Sequence, residues 1–258
     1  MVDIKTKEEI GIMKTGGKIL ADVLWEVLDS IKPGVTEREA DALADRLISE
    51  RGGEAAFKKV KGYSHATCIS TNNVVVHGIP SDYKFKEGDV VGIDCGVFYK
   101  GFNTDMSETI KVKNQKSKIK SLNEDKIDDF LKTGKRALDE AIKVAVLGNR
   151  IGHISKTIQE IVEGGGYSVV RSLIGHGVGR ELHEEPEVPG YLTKKIEKTP
   201  KLLEGMTIAV EVIYNMGSYE VSYLNNDGWT IGTTDGSLSG VFERTIAIRS
   251  GSPLILTQ

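Results

Sequence analysis

The stretch "GIDCGVFYKGFNTDMSETI", residues 92–110, reads as two β-strands joined by a glycine turn, with Asp94 and Asp105 planted inside otherwise apolar runs. In a strand alternate side chains share a face, so Asp94 falls on the side of Gly92 and Gly96 while Val91, Ile93, Cys95 and Val97 point the other way. One face is built to pack and the other is left for the acid. Packing alone favours a β-branched neighbour, so the two glycines predict room for something to come close to Asp94. The same oddity recurs at Glu211 in "TIAVEVIY" and at Glu243 in "GVFERTIAI". A lone buried carboxylate takes up a proton, and several converging ones also repel each other. An ordinary salt bridge or a strand end facing water accounts for any single case; a bound cation accounts for all four.

Around these strands the chain repeats itself. Thr6 and Glu9 have capping-box spacing, and Ile10, Met13, Leu20, Leu24 and Val27 follow at helical intervals, which predicts a helix over 7–31 ended by "KPG" at 32–34. Thr36 and Glu39 open a second helix, with Leu43, Leu47 and Ile48 on one stripe and Gly52 and Gly53 at its exit. "MKTGGKILADVL" from Met13 is echoed 118 residues later by "LKTGKRALDEAI" from Leu131, and "EGDVVGID", ending at Asp94, is echoed 117 residues later by "EGMTIAVE", ending at Glu211. "ERGG" at 50–53 returns as "EGGG" at 163–166. The pattern predicts an α+β fold in a single domain, 1–258, made of two similar halves at about 1–112 and 124–258. The lysine-rich "KVKNQKSKIK", 111–120, reads as a solvated loop.

A chain of 258 residues is long enough to bury a sizeable core, and 39% hydrophobic with 28% charged residues is the composition of an ordinary globular protein rather than a disordered one. A net charge of -3 gives no global attraction to nucleic acid. Two cysteines, Cys68 and Cys95, make no disulfide framework and suit a reducing compartment. The N-terminal residues hold no apolar run of signal-peptide length, and no stretch approaches the roughly 18 apolar residues that span a bilayer. A cytoplasmic protein, neither exported nor embedded in a membrane, is the expectation.

Carboxylate oxygens suit divalent ions such as Mn, Fe, Co or Zn, and a neutral imidazole adds selectivity for transition metals over calcium and magnesium. Five histidines are available: His65, His77, His153, His176 and His183. His153 falls in a fourth helix, "NRIGHISKTIQEIV", as a residue of no special role. His176 and His183 belong to "IGHGVGRELHEEP", where Gly175, Gly177 and Gly179 strip side chains from alternate positions and predict close passage of backbone past a ligand. His176 is therefore the best ligand candidate. His77 ends the apolar run of "NNVVVHGIP" before a turn, a place suited to projecting a polar group into a cleft.

With these residues in view the sequence resembles, nearly end to end, the type I methionine aminopeptidases of the bacterial kind, a family with the pita-bread metallopeptidase fold. The resemblance rests on "NNVVVHGIP", "GIDCGVFYKGFNTDMSETI", "GHGVGRELHEEP", "EGMTIAVEVIYN" and "DGWTIGTTDGSLSGVFERTIAI" in that order. It implies two pseudo-symmetric halves with antiparallel strands carrying the metal ligands and helices outside. The family's five ligands fall on Asp94, Asp105, His176, Glu211 and Glu243, holding two divalent ions whose bridging hydroxide attacks the first peptide bond. It further implies that Glu211 relays the proton, that His77 assists at the scissile amide, and that His183 hydrogen-bonds the substrate carbonyl. Tyr63, Cys68 and Trp229 match positions that hold the methionine side chain; Leu182 stands where the pattern often has an aromatic residue. The implied substrate is the N-terminal methionine of new polypeptides before a small second residue. The expected partners are these polypeptides and a transient ribosome contact, with no nucleic-acid specificity, no membrane association and a monomeric enzyme. Three rivals compete: a proline-specific peptidase of the same fold, a non-catalytic binding protein that keeps the fold, and a cysteine nucleophile built from Cys68 and His77.

Overall fold

Both expected capping boxes close. Thr6 Oγ1 accepts the Glu9 amide at 3.2 Å while the Glu9 carboxylate accepts the Thr6 amide at 2.8 Å, which starts helix α1 (Lys7–Ser30). Thr36 and Glu39 make the same pair of bonds at the head of α2 (Glu37–Glu50). The computed structural model describes residues 2–113 and 122–258, so the lysine-rich 111–120 lies, from residue 114 on, outside the described residues.

The strands of the first half are β1 (Glu54–Ala55), β2 (Thr67–Thr71), β3 (Val74–Val76), β4 (Val90–Tyr99) and β5 (Phe102–Lys111). The second half opens with α3 (Leu122–Val144) and α4 (Ile151–Gly164), followed by β6 (Ser168–Val169), β7 (Gly175–Gly177) and β8 (Glu184–Val188). It closes with β9 (Thr207–Asn215), β10 (Val221–Tyr223), β11 (Ile231–Thr233), β12 (Ser239–Ala247) and β13 (Leu254–Ile255). His153 turns out to have a local task at the head of α4, where its Nδ1 accepts the Arg150 amide at 3.0 Å.

One antiparallel sheet runs through the molecule in the order β1-β4-β5-β12-β9-β7-β8, with β2 also on β4, β6 on β9 and β13 on β12; β10, β11 and β3 form a small second sheet. The β5–β12 pairing is the seam between the halves, and β4 and β9 flank it as equivalent strands. Helices cover one face on each side of the seam. Leu20, Leu24 and Val27 of α1 share a core with Ile93, Cys95, Val97 and Met106, while Phe130 and Leu138 of α3 share another with Val210, Val212, Phe242 and Ile246. The repeated "KTG" has a physical reason in this packing. A Cβ on Gly16 would press to 3.1 Å from Tyr99 Cβ at the end of β4, and one on Gly134 would overlap the Tyr214 ring near the end of β9, so in each half glycine sits where the first helix lies closest on its strand. This is the α+β pita-bread arrangement, with its helices outside and the opposite sheet face free for chemistry.

Candidate metal centre

Strand register gathers the acids. Across β2, β4, β5, β12 and β9 one row reads Cys68, Asp94, Ser107, Glu243, Glu211, each residue facing the next. Two residues along, on the same sheet face, Gly96 faces Asp105, and Thr245 faces Ala209, which faces His176 of β7. The Thr245 hydroxyl closes this second row by donating to the Asp105 carbonyl at 2.8 Å and accepting the Asp105 amide at 2.9 Å. Two neighbouring rows thus carry all five expected ligands, two from the first half and three from the second.

Asp105, His176 and Glu243 each present a ligand atom within 4.8 Å of the others, with His176 Nε2 4.0 Å from Asp105 Oδ2. Asp94 and Glu211 complete the floor of the same cavity, whose volume is about 310 Å³. His176 Nδ1 lies 2.8 Å from the Gly177 carbonyl, which fixes the proton there and leaves Nε2 as a lone pair facing the acids. Among the described residues no lysine or arginine forms an ion pair with any of the four carboxylates; Arg244, next to Glu243, instead reaches Glu108 at 2.6 Å. Burial pushes Asp94 up to about 7, and burial plus the other carboxylates push Asp105, Glu211 and Glu243 well above the ordinary range. Burial, with His183 adding to it, holds His176 down at about 4 and lowers His77; burial lowers His183 too. Asp94 Oδ1 and Ser107 Oγ, across from each other on β4 and β5, are buried without a hydrogen-bond partner. Buried acids, a neutral imidazole and unmet polar atoms together fit a cation better than they fit each other.

The glycines call for a correction. Gly92 and Gly96 leave room for this chain's own side chains, since a Cβ would come 3.0 Å from Val241 Cγ1 at Gly92 and 2.9 Å from the Phe57 ring at Gly96. Gly175 lets β7 approach the Ala209 carbonyl of β9, where a Cβ would lie at 2.5 Å, and Gly177 does the same for the Glu185 carbonyl of β8. Gly179 makes space for Lys5. The five make room for this chain's own atoms, and Gly175 in particular lets β7, which carries His176, lie close on β9, which carries Glu211.

Every other expected site residue lines the cavity: Tyr63, Cys68, His77, Leu182, His183 and Trp229. Trp229 packs edge-on to Tyr63 with centroids 5.0 Å apart and to His77 at 6.4 Å, and the Tyr63 hydroxyl donates to the Thr67 carbonyl at 2.8 Å. His77 has φ 56°, a left-handed conformation that a histidine adopts only when its surroundings impose it, and this turns it in from the end of β3. His183 stands 4.3 Å, ring to ring, from His176. Burial foremost, then Asp94, pushes the Cys68 thiol well above its usual range, opposite to what a thiolate nucleophile requires, so the cysteine-nucleophile rival loses its chemistry.

A family model described as metallopeptidase family M24 matches residues 11–250. The chain belongs to this family. A methionine aminopeptidase of Clostridium perfringens is 41% identical over 257 residues, covering 100% of this chain and 99% of its own length. The methionine aminopeptidase 1 of Bacillus subtilis is 38% identical over 258 residues, with 100% of both chains covered. The crystal structure of the methionine aminopeptidase from Thermotoga maritima superimposes with a TM-score of 0.92 at 39% identity, again over 100% of each chain. A prolidase from Pyrococcus furiosus shares the fold at a TM-score of 0.76 and 26% identity, but only 65% of its length is covered. This M24 chain is a metal-dependent hydrolase of the aminopeptidase type.

Several cavity residues of this M24 site carry no mark in the sequence. Phe57, Ser172, Leu173 and Ile174 reach the wall from irregular segments or a single helical turn, where no period points to them. Ile213 was recoverable, since it lies two residues beyond Glu211 and strand alternation puts it on the same face.

Proposed function

We infer that this chain removes the N-terminal methionine from newly made polypeptides with a small second residue, in the cytoplasm. The observation that carries the reading is the pair of rows, four carboxylates and His176 with no lysine or arginine ion-paired to them among the described residues, at the floor of a cavity walled by Tyr63, Cys68 and Trp229. Asp94, Asp105, His176, Glu211 and Glu243 are the proposed ligands. Four carboxylates carry a formal charge that two divalent ions balance, and oxygen donors with one imidazole favour Mn, Fe, Co or Zn. Such ions supply Lewis-acid chemistry, polarising a carbonyl and acidifying water.

The chain's own residues do the rest. Glu211, in the row between Glu243 and the cavity wall, is the carboxylate proposed to accept and pass on a proton. His77 and His183 are neutral near pH 7 and each offers one N–H, which suits them to hydrogen-bond a carbonyl oxygen or amide nitrogen as charge develops there. Tyr63 and Trp229 present ring faces and edges, and Cys68 a small apolar sulfur, to an unbranched thioether. Leu182 closes this wall with a smaller, more flexible side chain than an aromatic ring.

The test is peptide cleavage by chelated enzyme to which each metal is restored singly. Met-Ala-Ser should lose methionine, Met-Leu-Ser should be cleaved far more slowly, and Ala-Pro-Ala should stay intact. Preference for Ala-Pro-Ala would replace this reading with a prolidase-like one, and a metal-replete protein inert to all three would leave only a binding role.

A further inference from the structure

Leu182 and His183 sit on residues 179–183, a segment with no regular secondary structure between β7 and β8. Such a segment presents a side chain accurately only when other parts of the molecule fix it. Three ties to remote parts of the chain do so. Asn103 of β5 donates through its side-chain amide to the Gly179 and Arg180 carbonyls, each at 3.0 Å. Arg180 pairs with Glu9 of α1 and lies 3.6 Å from Asp3. The third tie is buried: the Lys5 side chain is 1% exposed, and its ammonium pairs with Glu184. The second oxygen of that carboxylate, Glu184 Oε1, accepts the Glu181 amide at 3.0 Å and so closes the turn that carries Leu182 and His183. Lys5 is itself anchored, because its amide donates to the Gly205 carbonyl at 2.8 Å and Ile4 bridges to Met206, directly ahead of β9. A Cβ on Gly179 would overlap the Lys5 side chain, so the sequence keeps that passage clear.

Desolvation offsets much of the attraction in a buried ion pair, which makes it a weak source of stability and a better source of defined geometry. We propose that Lys5 is a positioning residue that acts through Glu184 to hold the 179–183 segment, and with it His183, in place over the metal centre. The proposal rests on the role given to His183 above.

A double-mutant cycle on the metal-loaded enzyme separates the two ideas, with Met-Ala-Ser as substrate. Lys5→Met should lower kcat by about ten- to a hundredfold, the scale of loss when a contributing group slips out of place. Its KM should stay within about threefold of the parent, since the loss falls on the transition state. Manganese affinity measured by calorimetry should not change, and amide exchange at 179–183 should speed up. Lys5→Met/His183→Ala should be no slower than His183→Ala alone, because coupled groups lose their effect only once. Additive losses, or a parental kcat in Lys5→Met, overturn the proposal while His183→Ala still reports on His183; a parental kcat in His183→Ala overturns both. Should Lys5→Met fail to fold, Glu184→Gln keeps an acceptor for the Glu181 amide and removes the charge that Lys5 holds. Lower kcat with unchanged manganese affinity in that variant supports the proposal, and a parental kcat overturns it.

Discussion

Asp94 shows how much a single residue can carry. It is half-buried at the cavity, one of its oxygens is shut away from solvent with no hydrogen-bond partner, and the residues facing it across the sheet are Cys68 and Ser107. Its carboxyl is pushed up to about 7, and burial and the neighbouring carboxylates push those of Asp105, Glu211 and Glu243 well above the ordinary range, so the metal-free folded chain holds protons that the unfolded chain has released. Wherever the native state binds more protons, stability falls as pH rises. The histidines work the other way: His176, His77 and His183 are lowered, so the unfolded chain binds more protons than the folded one below about pH 6.5, the ordinary histidine value. Above that pH the unfolded histidines lose their remaining protons and the carboxylates come to dominate. Metal-free protein should therefore lose stability between about pH 6.5 and 8, at about 1.4 kcal/mol per pH unit for each extra proton held. Urea titrations across that range, with and without manganese, check this: the slope should vanish on metal loading, and a flat profile in the metal-free protein would show that the acids do not share one buried site.

At the scale of elements, the β5–β12 seam does two jobs at once, since it joins the halves and sets Asp105 beside Glu243. Thr245 is the residue that ties the seam at this point, through both backbone groups of Asp105. Thr245→Val keeps the shape and leaves a buried N–H and C=O short of partners, which should cost about 2–6 kcal/mol at about 1–3 kcal/mol for each lost partner. Urea unfolding gives that number, and calorimetric manganese titration should show weaker binding because Asp105 is freed to shift; undiminished affinity would mean that Asp105 is held by its strand alone. Elements of this kind are where legibility ends. The helices were readable because Thr6–Glu9 and Thr36–Glu39 are local signals that close within one turn, and the acids were readable because each breaks a period of two. The glycines misled, because the atoms that Gly92, Gly96 and Gly175 make way for, those of Val241, Phe57 and Ala209, are far away in the chain. Neither could register be read: nothing in the sequence says that Glu243 faces both Glu211 and Ser107, or that Asp105 falls in the same row as His176. Lys5 gives no local sign of its partner Glu184, 179 residues away.

On the scale of the whole molecule, the two halves are alike in plan but incomplete alone. Asp94 and Asp105 come from the first and His176, Glu211 and Glu243 from the second, while each half has its own helix-covered core. Separate cores would let the halves melt separately; a shared seam and a shared charge cluster oppose that. With the proposed ligand set, metal binding would couple the two, because an ion held by ligands from both sides stays bound only while both sides are folded. Saturation at about a hundredfold above the dissociation constant adds about 2.7 kcal/mol to the folded state. For a chain of this length each kcal/mol moves the midpoint by about 2–4 °C, so manganese should raise Tm by about 5–10 °C. Scanning calorimetry of the chelated and reloaded protein should show one transition in both conditions, moving as a unit. Two resolved transitions, of which manganese shifts only one, would place the ion within a single half and remove the physical basis for reading the four acids as one site.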